Sequence, residues 1–426
     1  MKLHIKNGRL IDPANNIDAQ QDVFVADGKV AGIGQAPAGF TADKTIDASG
    51  LVVAPGLVDL SARLREPGYE YKATLESEMQ AAMQGGVTSL LCPPDTDPVL
   101  DEPGLVEMLK HRAKSLNQAH VYPLGALTMG LKGKALTEMA ELTEAGCVGF
   151  SQADEPVLDT TVLLSALQYA KTFDYTVWLR PQDPHLGRHG IAHSGPAASR
   201  LGLSGVPVMS ETIALYTIFE LVRATGARVH LCRMSSAAGL ELVRAAKREG
   251  LPVTCDVGAH HIHLSDMDIG FFDSNARVNP PFRSQRDRDA IRAALLDGTV
   301  DAICSDHTPV DDDEKLLPFG EASPGATGLE LLLSLSLKWA EDAGAFDAIS
   351  KAVAKVTTDA ARIAGLPAGS LKVGDIADVC IFDPKTRWTV EAKALASQGK
   401  HTPFLGYELS GQVKATIVSG HVAFER

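Results

Sequence analysis

The chain has no apolar run approaching the ~18 residues of a membrane-spanning helix. Its opening, Met1-Lys2-Leu3-His4-Ile5-Lys6, alternates like a strand and lacks the apolar stretch of a signal peptide. The six cysteines, at 92, 147, 232, 255, 304 and 380, form no Cys-x-x-Cys pair. That argues against disulfides or a metal cluster and for buried free thiols in a reducing cytoplasm. Positive charge is also short. Forty Lys and Arg face 53 Asp and Glu, a net −13, which disfavours nucleic acid and anionic membranes as partners. There is no Gly-x-Ser-x-Gly elbow, no phosphate-cradling Gly-x-x-x-x-Gly-Lys-Ser/Thr loop and no dinucleotide fingerprint.

What is present is length and apolar content. A chain of 426 residues, 45% apolar, can bury a barrel of roughly 250 residues and a second unit. The two ends share one texture. Leu3 to Leu10 and Asp22 to Ala26 alternate, Asp27-Gly28 signals a hairpin, and Gly411 to Phe424 reads as a closing hairpin around Ser419-Gly420. Residues 1–54 and 366–426 are therefore expected to meet in one small β-sandwich. The middle, 55–365, alternates apolar strands with helical segments. Strands are expected at 87–92, 121–127, 147–151, 176–179, 229–233, 253–257 and 302–305, with helices at 102–115, 135–145, 159–172, 209–225, 237–248 and 285–296. Strand–helix alternation means parallel pairing with crossover helices, and about eight units predict a (β/α)8 barrel. In such barrels the chemistry sits at the C-terminal strand ends.

One strand end carries the most specific signal. Leu57-Val58-Asp59-Leu60 runs into Ser61-Ala62-Arg63-Leu64-Arg65-Glu66-Pro67-Gly68. Gly85-Gly86-Val87-Thr88, Val278-Asn279-Pro280-Pro281-Phe282-Arg283 and Ser305-Asp306-His307-Thr308-Pro309 follow in order. These motifs resemble those of dihydroorotases, within the amidohydrolase superfamily, and the resemblance runs nearly end to end. It implies a TIM-type barrel with a β-sandwich from both termini. In that family the strand ends in His-x-His-Leu-Arg-Glu-Pro-Gly, and zinc held by His and carboxylates makes the hydroxide that opens a ring amide.

The frame is retained here and the ligands are not. The two histidines are Ser61 and Arg63. The Asp-Asp pair after Gly149-Phe150-Ser151 is Gln152-Ala153, with Asp154 and Glu155 one residue out of step. Two further ligand histidines are Arg180 and Arg233, leaving Asp306 as the surviving position. A guanidinium has no lone pair to donate and stays charged, so zinc is expected to be absent. The three arginines are expected to converge on Asp306 as counter-charges. In the substrate layer the resemblance points to Arg65, Asp95 (where the family has Asn), Asn279 and His261.

The remaining polar groups invite plainer readings. His260-His261 is expected to be a packed pair. His185, His189 and His193 are expected in a solvated Gly-rich loop, and Asp311-Asp312-Asp313-Glu314 in a mobile acidic one. Ser235 and His230 fall on opposite strand faces and make no nucleophile–base pair. The resemblance is nearest to the non-catalytic dihydroorotase-like chain that accompanies bacterial aspartate carbamoyltransferase. It implies a cytoplasmic pseudoenzyme of pyrimidine biosynthesis acting as an assembly subunit with the catalytic carbamoyltransferase chain, in a homo- or hetero-oligomer. Two alternatives remain open. One is an active cyclic amidohydrolase using a reduced metal site of Asp306, His260, His261 and perhaps His230. The other is an anion sensor built on Arg65.

Overall fold

A computed structural model describes residues 1–157 and 159–426. Eight parallel strands form the central barrel. In order they are Leu57–Asp59, Val87–Cys92, a third in two pieces (His120–Pro123 and Gly125–Ala126), Phe150–Ser151, Thr176–Leu179, Arg228–Leu231, Val253–Gly258 and Ala302–Cys304. Neighbours pair in parallel around the ring. The third strand breaks at Leu124: its first piece pairs with the second strand, its last with the fourth. The seam closes through two backbone hydrogen bonds, Arg63 N–H to His307 O at 2.9 Å and His307 N–H to Ser61 O at 3.1 Å.

Buried charges pin this seam. The Asp59 carboxylate accepts hydrogen bonds from the Ser305 amide at 2.8 Å and from its hydroxyl. Burial lifts Asp59 to about 6, against those donors. His307 Nδ1 accepts from the Gly328 amide, so its Nε2–H donates to Glu78, at 2.5 Å. Glu78 also accepts from Ser397 Oγ at 2.6 Å and the Gln398 amide at 2.9 Å, which ties the seam to the C-terminal segment.

The crossover helices start and stop on local chemistry. Ser236 caps Ala237–Glu249, and Ser284 with Asp287 forms a capping box on Gln285–Asp297. Gly250 and Gly298 then end them with φ of 86° and 81°, where a side chain would be strained. The helix expected from 135 begins at Met139.

The termini do form a two-sheet unit. One sheet orders Lys29–Ile33, Val23–Ala26, Leu3–Lys6 and Lys44–Asp47. The other orders His421–Glu425, Glu408–Val418, Val379–Thr389, Val52–Pro55, Arg9–Asp12 and Ile17–Gln20. Alternate residues of both, including Leu3, Ile5, Val23, Val53, Val379 and Ile417, pack into a core of their own. All six cysteines are free thiols, five of them buried. No helix among the described residues is long and apolar enough to cross a membrane.

Candidate functional site

The barrel mouth is built on bent strand ends. Arg65, Ala153, Arg233 and Asp306 all have positive φ, between 50° and 63°. For residues with side chains that backbone is strained by ~1–3 kcal/mol each, and such strain collects where side chains must be aimed. Ala153 matters most. Its left-handed turn after Phe150–Ser151 swings Asp154 into the mouth.

Three arginines and three aspartates interlock there. Arg63 donates through Nε to Asp95 Oδ2 at 2.7 Å and through a terminal nitrogen to Asp154 Oδ2 at 3.1 Å. It lies 3.7 Å from Asp306 Oδ1. Arg233 donates to Asp306 Oδ1 at 3.1 Å, to Asn279 O at 3.2 Å and, very closely, to Asp154 Oδ1. Arg180 donates through Nε to Asp154 Oδ1 at 3.0 Å and reaches the Asp154 carbonyl and Gln182. Arg63, Arg233 and Asp306 are buried, Arg180 and Asp154 partly so.

The cluster is electrically balanced, three cations against three anions. Burial works against the charges of Arg63, Arg180, Arg233, Asp154 and Asp306, and pairing outweighs it for all but Arg180. For Asp154, Arg233, Arg63 and Arg180 overcome burial and hold the carboxyl well below its usual range. Asp306 is likewise lowered despite burial, chiefly by Arg233. Arg63 and Arg233 are raised, Asp95 and Asp154 outweighing burial for the first, Asp154 and Asp306 for the second. Arg180 alone is lowered, because burial exceeds what Asp154 returns.

Several expectations change here. The arginines converge, but on Asp154 more than on Asp306. Arg180 pairs with Asp154 and not with Asp306. Asp95 is a partner of Arg63. Gln152 turns away, accepting from Thr128 Oγ1 at 2.9 Å and donating to Leu131 O at 2.7 Å. Ser61 is buried, and its carbonyl serves the seam. Arg65 donates to Pro309 O at 2.9 Å, which fixes it to the loop after the eighth strand.

The histidines separate as well. His261 donates to Pro280 O at 3.0 Å and packs on His260 and Phe282, and burial pushes it down to about 3. His260 sits 3.5 Å from Asp306. His230 is engaged by Asp256 at 3.0 Å and Thr254 at 2.8 Å, away from that pair. His193 is not in a solvated loop: it is buried in a short strand, 3.4 Å from Arg283. The acidic run is anchored too. Asp311 caps a short helix, and Glu314 pairs with Lys72 at 2.7 Å.

Two carboxylates carry roles that sequence reading did not assign: Asp154, which it placed one residue out of step, and Glu211. Asp154 is the hub. Glu211 accepts from the amide and hydroxyl of both Ser235 (2.9 and 2.6 Å) and Ser236 (3.1 and 2.5 Å), holding the turn after the sixth strand. That accounts for the serines without any nucleophilic role.

Relatives with this frame are at hand. A dihydro-orotase-like family model matches residues 50–238, and an amidohydrolase family model matches 207–423. A dihydroorotase-like protein of Pseudomonas aeruginosa is 45% identical over 425 residues, covering all of both chains. This chain belongs to the dihydroorotase-like family of amidohydrolases. Within that family, a protein of a Geobacter species named dihydroorotase is 42% identical over 425 residues, again covering both chains fully. Among solved structures, the L-hydantoinase of Arthrobacter aurescens superposes with a TM-score of 0.88 over 99% of this chain and 96% of its own, at 24% identity, a likeness of fold.

Dihydroorotases of the resembling kind hold zinc at these strand ends, and the donor set here does not fit it. Both Asp154 oxygens and Asp306 Oδ1 are taken by guanidiniums, which cannot ligate a cation, leaving Asp306 Oδ2 beside His260. Among the described residues no three His, Cys, Asp or Glu side chains are grouped to hold a metal ion. A dication would have to displace these guanidiniums from the aspartates to find ligands, stranding buried positive charge.

Proposed function

We propose that this dihydroorotase-like chain is a pseudoenzyme whose barrel serves as a structural subunit, with the catalytic chain of aspartate carbamoyltransferase as its partner. The observation that carries the loss of activity is the closed Arg63–Arg180–Arg233 network on Asp95, Asp154 and Asp306. Ring-amide hydrolysis in the family needs a metal-activated water, and typical enzymes accelerate reactions at least ~10⁶-fold. Among the described residues, no group at this mouth supplies such a nucleophile. The assembly role rests on the resemblance. It suits a fold kept whole around an inert centre.

The test is co-expression with the same organism's aspartate carbamoyltransferase. The expected result is one co-eluting complex, with transcarbamoylase activity that falls when this chain is omitted. Independent elution with unchanged activity overturns the assembly role.

A second reading follows from the relatives named dihydroorotase and from His260 remaining beside Asp306. It is an active hydrolase with a reduced metal site. Zinc-supplemented protein should turn over neither dihydroorotate nor carbamoyl aspartate. Turnover that disappears in an Asp306→Asn variant establishes this second reading instead.

A further inference from the structure

Beside the balanced cluster lies a pocket of about 200 Å³ whose charge is not balanced. Arg180 and Arg233 form one wall, and Arg277, Arg283 and Arg188 the others. The first two are neutralised by the aspartates described above. The last three make no ion pair among the described residues, and Arg283 is buried. Glu211 also faces this pocket, but its two oxygens already take four hydrogen bonds from Ser235 and Ser236. Burial lowers both Arg277 and Arg283; Glu211 and Asp287 offset only part of it for Arg283, and no carboxylate offsets it for Arg277.

The unused donors are specific. Arg233 Nε, Arg277 Nε and Ser210 Oγ are each buried without a hydrogen-bond partner among the described residues, and all three residues line this one pocket. Buried donors left unmade are rare, and three residues that each carry one line this single cavity. Ser210 sits in the first turn of the 17-residue helix Met209–Thr225, whose N-cap position, Val208, offers no side-chain acceptor.

We propose that this pocket binds a small tetrahedral oxyanion of the phosphate or phosphoryl type. The donors come from three separate elements: the end of the sixth strand, the loop before Asn279 and the first turn of Met209–Thr225. A planar carboxylate is matched by a single two-pronged guanidinium. Donors spread on several sides suit a tetrahedral group. The site adjoins the arginine cluster but uses none of the cluster's ion pairs, and it lies apart from Arg65. It stands whether or not the chain assembles with a carbamoyltransferase.

The experiment is titration of the full-length chain with inorganic phosphate at constant ionic strength, by calorimetry and thermal shift. Sodium chloride, sulfate and succinate serve as comparators. Saturable binding of phosphate, mirrored by sulfate and exceeding any chloride effect, is expected. Arg277→Gln should weaken it by ~10-fold or more and the exposed Arg188→Gln by less, with the ligand-free Tm of each close to that of the parent. Phosphate that stabilises no more than chloride overturns the proposal, as does an unchanged affinity in both variants. Saturable binding of succinate without phosphate overturns the tetrahedral assignment.

Discussion

Asp154→Asn tests the balanced cluster directly. The carboxylate accepts from Arg63, Arg180 and Arg233, and the amide would leave three guanidiniums facing two aspartates. Removing one member of a buried ion network costs ~3–5 kcal/mol, since the remaining charge is stranded. The Asp154 side chain is 32% exposed to the pocket, so water softens the loss and the low end, about 3 kcal/mol, is expected. Urea unfolding followed by tryptophan fluorescence measures it, with buried Trp178 against His230 as a reporter in the barrel. The decisive arm is a double-mutant cycle. Arg180 has Asp154 as its one carboxylate partner among the described residues, so Asp154→Asn with Arg180→Gln restores equal numbers of cations and anions. The double variant should be more stable than the summed single losses by ~1–2 kcal/mol. Strict additivity, or a cost below ~1 kcal/mol for Asp154→Asn, refutes the reasoning. The pH sign is fixed as well. Asp154 is lowered in the folded state, so its contribution is complete above the unfolded carboxyl pKa and is lost progressively as pH falls from there through the folded value.

Other perturbations follow from the same contacts. Arg63→His should not acquire stoichiometric zinc by elemental analysis after zinc dialysis, because Arg180 and Arg233 still face the centre; one equivalent bound would contradict the charge argument. His263 is partly buried, donates to Leu335 O at 2.9 Å and is pushed down to about 4 by desolvation. Between pH ~6.5 and 4 the unfolded chain alone takes up its proton. Stability should thus drop with falling pH over that window, and denaturation curves of His263→Gln should show a shallower drop than the parent. Buried Lys315 donates to the carbonyls of Arg277, Ser323 and Gly325 at 2.8, 3.1 and 2.7 Å. Lys315→Met would orphan all three, at ~1–3 kcal/mol for each that finds no water. Hydrogen exchange should speed up across 311–325, and proteolysis at exposed Leu316-Leu317 with it; unchanged exchange would contradict this.

The barrel was legible because its alternation and strand-end motifs survive where the ligands do not. The terminal sandwich was legible from matching strand texture at both ends. What escaped was direction. Asp154 read as one residue out of step, since sequence does not announce that Ala153 takes a left-handed turn. Charge counting could have found it. Three arginines entering a buried centre need three carboxylates, and Asp95 with Asp306 leave the sum one short. Arg65 looked like a retained ligand-binding group, and nothing local foretold its bond to Pro309 O. His193 was misread because the short pairing of Ala192–His193 with Gly205–Val206 has too few residues to show periodicity.

The Glu78 contact has a bearing on how the chain is made. Its partner Ser397 lies 319 residues downstream, and the strand Val52–Pro55, paired on one side with Arg9–Asp12, finds its second neighbour in Val379–Thr389. At ~5–20 residues per second a ribosome exposes nearly the whole barrel before either partner exists. The helix Leu75–Gln84, which carries Glu78, and the seam it braces must therefore wait, with Glu78 unpaired by Ser397 and an apolar strand edge open, until residues 379–397 emerge. Completion of the C-terminus is the event that locks the barrel, so nascent chains stalled short of residue 397 are the species most exposed to chaperones and to mispairing along that edge.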